Sequence, residues 1–212
     1  MNRKWMLIAA AALLGFAAIP GAARAEMSEK EKALASPYPN DLGEDHIEAK
    51  ILDTYPANIQ EGYHILRGEK KIVNGKLVDS DMKTSGCVQC HTASRPLNSR
   101  FLEPEGGTDE AAQTANLAKL KAAQPELFKD ATIWQPEVKV FNRYVKRMMN
   151  KPGCSITKLE GKSIWEFLEY DGAHRKTGAN AASWAATRKD LVQKFKAQYP
   201  KRYEELKAAN DL

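Results

Sequence analysis

Cys87-Val88-Gln89-Cys90-His91 constrains this chain more than any other stretch. Two thiols three residues apart can reach the two vinyl groups of one protoporphyrin, and the imidazole that follows can swing under the iron. This spacing is the attachment signature of a c-type haem. A chain that carries it has to leave a cavity beside the motif, lined by apolar groups such as Phe141 and Tyr144. Other uses of C-x-x-C fit less well. A zinc site needs two further ligands, and the remaining cysteine, Cys154, has no neighbouring histidine. A thioredoxin-like pair follows a buried strand in a βαβ pattern, whereas residues 82–86 are polar and flexible.

The N-terminus points to the compartment where such chemistry happens. Arg3 and Lys4 supply a positive start, residues 5–19 an apolar run, and Ala23-Arg24-Ala25 an A-x-A cleavage site, so residues 1–25 read as a secretory signal. An apolar run of about 15 residues is short for a span, which takes about 20. No other stretch is apolar enough to cross a bilayer, and no membrane span is expected after cleavage. Haem is joined to thiols on the outer side of the bacterial cytoplasmic membrane, so signal and motif agree on a periplasmic protein. Losing Arg3, Lys4 and Arg24 leaves 29 basic against 27 acidic groups. That near-balance gives no argument for a nucleic-acid partner, although Lys189, Lys194, Lys196, Lys201, Arg202 and Lys207 crowd the C-terminal segment. Cys154 is left over as an odd thiol, expected to be a small buried residue.

Along the chain, residues 26–43, with Pro37 and Pro39, read as an N-terminal arm. Residues 44–67 are expected to be helical in part, broken at Pro56. Asn74-Gly75 between apolar pairs is a hairpin signal, so a small β-excursion precedes the haem motif. Residues 103–109 are a Gly/Pro loop, and residues 110–123 favour helix up to Pro125. Val138, Phe141, Tyr144, Val145 and Met148 follow helical spacing until Lys151-Pro152-Gly153 stops the run. Thr157 and Glu160 form a capping box that starts a helix with Ile164, Phe167 and Leu168 on one face. Trp184, Leu191, Phe195 and Tyr199 repeat the pattern. The chain is mainly α.

His91 is the expected proximal ligand, and its second ring nitrogen needs an acceptor, for which the Pro96 carbonyl is a candidate. The distal side is open between several residues. Met27 lies at the mature N-terminus and Met82 on the approach to the motif, neither well placed. Met148 and Met149 end a helix beside Pro152, and His174, His64 and His46 are the spare histidines.

The helix with Gly62-Tyr63, the motif itself, Pro96-Leu97, the methionines near Pro152 and a closing helix through Trp165 together resemble the class I c-type cytochrome family. The resemblance covers residues 44–170, and Arg147-Met148-Met149-Asn150-Lys151-Pro152-Gly153 is similar to its R-M-x-x-K-P-G methionine loop. It implies a cytochrome c-like haem domain over 44–172, with the hairpin as an insertion, and Met148 as distal ligand ahead of Met149. The hairpin and Arg95, which stands where the family has glycine, depart from the pattern, and residues 173–212 form a helical extension outside it.

The function these residues imply is electron transfer by a periplasmic protein with one covalent haem c, His/Met ligated, meeting redox partner proteins transiently. No acid/base or nucleophile constellation points to an enzyme, and a di-haem peroxidase needs a second C-x-x-C-H. The competing expectations are a five-coordinate haem sensor and a haem subunit docked on a larger oxidoreductase through its C-terminal helix.

Overall fold

The computed structural model describes residues 37–129 and 132–212. The expected signal segment, Met27 and most of the N-terminal arm lie outside them. The described chain is mainly helical with one two-stranded antiparallel hairpin. Pro56, the residue before α1 (Ala57–Leu66), has a φ of −57° and a ψ of 147°, so its ring fixes φ while its extended ψ keeps it outside the helix it introduces. A single turn, Ala49–Leu52, precedes it, so the break falls where Pro56 put it.

Lys70–Val73 (β1) and Lys76–Asp79 (β2) pair with Lys70 opposite Asp79 and Val73 opposite Lys76. Asn74 and Gly75 turn the chain with φ of 52° and 75°, the left-handed pair that matches strand twist in a tight hairpin. The hairpin is pinned from one side: the Ile72 amide donates to Glu160 Oε1 at 2.9 Å. The other Glu160 oxygen accepts the Thr157 amide at 2.7 Å. One carboxylate thus completes the capping box and holds β1.

The remaining helices are α2 (Glu110–Ala123), α3 (Val140–Met149), α4 (Lys158–Lys176), α5 (Ala181–Gln198) and α6 (Pro200–Ala208). Asp109 caps α2 by accepting the amides of Ala111 and Ala112 at 3.0 and 3.1 Å. Helix α1 crosses α4 so closely that a Cβ on Gly62 would lie 2.3 Å from the Ser163 carbonyl oxygen. Leu66, Phe141, Ile164 and Phe167 fill the core that α1, α3 and α4 enclose. A second cluster joins Leu102, Leu127 and Ile133 to Trp184 of α5.

The C-terminal segment is therefore packed on the rest. Trp184, Leu191 and Phe195 are buried, and α4 runs through the boundary drawn at residues 172 and 173. Among the described residues no helix is long and apolar enough to cross a membrane.

Lys176, at the end of α4, is 1% exposed. Its Nζ donates to the carbonyls of Ser99 and Phe101, both at 2.8 Å, the two bonds a neutral amine can make. Burial drives it down to about 7, with Arg175 adding and Asp171 opposing. Between that value and the ordinary 10.5 the unfolded chain holds a proton that the folded chain lacks, so stability rises with pH through the window. The slope is at most about 1.4 kcal/mol per pH unit. Urea unfolding at pH 7, 8 and 9 should show wild type gaining on Lys176→Met at each step; parallel curves would refute this assignment.

Candidate functional site

Cys87–Gln89 is one turn of 3-10 helix, and the amides of Cys90 and His91 both donate to the Cys87 carbonyl at 3.4 Å. Positions i, i+3 and i+4 of a helical turn share one face. Cys87, Cys90 and His91 accordingly line one cavity of about 450 Å³, inside the ~300–1,000 Å³ range of ligand and cofactor sites. Burial pushes the Cys87 thiol up to about 12, with Cys154 and Cys90 adding to it. Burial also holds the His91 imidazole below its ordinary value, against the opposing Thr92 carbonyl. That carbonyl lies 2.9 Å from His91 Nδ1. Thr92, not Pro96, is the acceptor, because the chain turns at once into the single helical turn Ser94–Leu97, which contains Pro96.

The same cavity receives Tyr144 and Met148 from α3, and Cys154 and Ile156 from the loop that follows. Gln89 ties that loop to the motif. Its Oε1 accepts the Ser155 amide at 3.1 Å while its Nε2 donates to the Gly86 carbonyl at 2.7 Å and reaches Cys154 Sγ at 3.9 Å. Ser155 Oγ also donates to the Thr84 carbonyl at 2.8 Å. Two segments far apart in sequence are thus clasped around one space.

The two methionines part company here. Met148 lines the cavity. Met149 packs on the core, where a Cβ on Gly161 would lie 2.3 Å from its sulfur. One helical residue is about 100° of rotation, which is enough to separate them. Phe141, expected among the lining groups, lies fully in the core instead. Met82 is 42% exposed. The spare histidines are engaged elsewhere: His64 with Glu69 at 2.7 Å, His46 with Asp45 at 3.2 Å, and His174 stacked on Tyr170 at 3.8 Å. None of the three lines the cavity.

Arginines make up another part of the wall. Arg95 is balanced by Asp41 in a two-pronged pair, with Nε to Oδ1 at 2.7 Å and Nη2 to Oδ2 at 2.6 Å. Arg100 lies over the Trp134 ring at 5.0 Å. The Trp134 amide donates to the Arg100 carbonyl at 2.9 Å, which fixes the two side by side. Arg147, from α3, and Arg188, from α5, complete the four.

Sequence reasoning does not single out Arg100, Trp134 or Arg188. For Arg188 a signal exists: Trp184, Arg188, Leu191 and Phe195 are spaced 4, 3 and 4 apart, so the arginine occupies a core position of an apolar stripe. Arg100 and Trp134 are joined by a contact between loops and leave no local pattern.

Among the described residues no group of three or more His, Cys, Asp or Glu side chains is gathered into a metal-ion shell. No protein-family model, no curated protein and no solved structure matches the chain.

Proposed function

We propose that this chain is an exported, mono-haem c-type cytochrome that carries electrons in the periplasm, with a cytochrome c-like helical domain around its haem. The observation that carries the reading is the pairing of the Cys87–His91 turn with Met148 across one cavity that none of the spare histidines lines. Cavity and residues fit the group. The volume suits a cofactor, the wall offers aromatic faces at Tyr144, Phe101 and Trp134, and a buried arginine supplies unspent positive charge.

Cys87 and Cys90 would hold haem c through two thioether bonds, with His91 as proximal and Met148 as distal ligand. When bound, the haem supplies a one-electron iron couple whose His/Met shell changes little between oxidation states and favours the reduced form. Burial favours the neutral His91 imidazole, the form a ligand needs. With Nδ1–H donated to the Thr92 carbonyl, Nε2 is left with its lone pair toward the cavity. Gln89 fixes the Cys154 loop against the motif, which holds the end of α3 and Met148 in register.

The partners are redox proteins met transiently. The stripe that suggests a docking subunit is taken up inside the chain, since Trp184 and Phe195 are 3% and 0% exposed. The experiment is the intact mass of protein exported from its natural N-terminus. It should equal the chain from Glu26 plus one haem, resist acid-acetone extraction, and fall to the bare chain in Cys87→Ser, Cys90→Ser. Extractable haem, or none in wild type, would refute the reading.

A further inference from the structure

We propose that Arg188, carried by α5 outside the segment that resembles the cytochrome family, is the anchor of one haem propionate, its buried Nε donating to the carboxylate. This rests on the proposed haem function and assigns a residue to a part of the cofactor that the motif does not address.

Arg188 is 4% exposed. Nη1 donates to the Asn98 carbonyl at 3.1 Å, but Nε is buried with no partner among the described residues. A guanidinium taken out of water with a donor unmet costs free energy unless an acceptor arrives, and the best acceptor is an anion. Among the described residues no carboxylate acts on Arg188; Asp211, which shares the cavity, acts on Arg100 instead. Burial, with Arg100 nearby, lowers Arg188 to about 9, and burial lowers Arg100 to about 10, with Asp211 opposing. Asp41 and Asp171 are committed to Arg95 and Arg175. The wall thus holds more positive charge than its own carboxylates answer, and Arg188 faces the cavity where the haem edge would bring two more.

The spacing of the α5 stripe agrees with this. An arginine at a core position would weaken the packing of Trp184 and Leu191 unless its head had somewhere to go, and the cavity is that place. The ionised propionate gains a charge-assisted bond there, so its proton is held off to lower pH.

The test uses the haem-loaded full chain, with propionate carboxyls labelled with 13C through labelled 5-aminolevulinate. In wild type, one of the two carboxyl resonances should stay at its ionised position well below pH 4.3, the ordinary carboxylate value of about that size. In Arg188→Gln that resonance should titrate at higher pH, and the reduction potential should fall and become pH-dependent between pH 5 and 7. Arg188→Lys, which keeps the charge, should restore most of the wild-type profile. Two wild-type resonances that both titrate at the ordinary value would overturn the assignment even if the variants fail to fold. An unchanged profile in a folded, haem-loaded Arg188→Gln would overturn it too. A mass showing no haem in wild type marks failure of the underlying reading instead.

Discussion

Met148→Ala is expected to convert a low-spin haem protein into a high-spin one that binds carbon monoxide and has a lower reduction potential. A thioether is a weak, uncharged ligand that favours ferrous iron, so losing it both frees a coordination position and removes that preference. The expectation is sharp because its neighbour is a built-in control. Met149 packs on the core beside Gly161, so Met149→Ala should cost about 2 kcal/mol of stability through a cavity while leaving the spectrum alone. Optical spectra in both oxidation states, including the weak ferric sulfur-to-iron band, and a redox titration check both variants. A normal band in Met148→Ala would remove Met148 as ligand and return the five-coordinate sensor to consideration.

Glu103→Ala is expected to destabilise the protein by about 3–5 kcal/mol, a large part of the ~5–15 kcal/mol that holds a domain together. Glu103 is fully buried. Its Oε1 accepts from Gln113 Nε2 and Trp165 Nε1, each at 2.9 Å. Its Oε2 accepts the amides of Phe141 and Asn142, at 2.8 and 3.3 Å, in the first turn of α3. A carboxylate at a helix N-terminus meets both the open amides and the positive end of the helix dipole. Removing it orphans three donors at once, leaves Gln113 Nε2 only its 3.4 Å bond to Glu169, and loosens the start of the helix that carries Met148. Glu103→Gln keeps one acceptor but turns an amide NH2 toward donors, so about 2 kcal/mol is expected. Urea midpoints with unchanged slope are the measurement, and a loss under 1 kcal/mol for the alanine variant would show that water replaces the carboxylate.

Glu103 also marks what the sequence cannot show. The hairpin at Asn74-Gly75, the cap at Asp109 and the box of Thr157 and Glu160 are legible because each is a contact within a few residues, written in residue types that suit one backbone shape. The motif turn is legible for the same reason. Glu103 sits in a Gly/Pro loop, and its partners lie 10 to 62 residues away. Periodicity gives α3 its apolar stripe but not which side of the stripe meets the cavity. Phe141, expected in the lining, is therefore in the core, while Tyr144 lines the cavity as expected. His91 takes a carbonyl one residue away, although Pro96 is the more obvious source of one in the sequence. The C-terminal segment reads as an addition because the resemblance stops before it, although a charged residue within its apolar spacing points inward.

The distance in sequence between the two sides of the cavity carries a consequence for timing. Cys87 and Arg188 line the same space, although the chain between them runs through most of the fold. A polypeptide threaded through a membrane N-terminus first presents its thiols while the segment that closes the wall is still on the other side. Contacts of such long sequence separation form late. If the chain is exported as proposed, Cys87 would meet water for as long as translocation lasts, before the burial that pushes its thiol up to about 12 is complete. For an exported c-type cytochrome, that interval is when the thiols are open to covalent attachment. On the proposed function the last helices would act as a latch, with cofactor loading ahead of final folding, and a chain that closed empty would have withdrawn its own nucleophile.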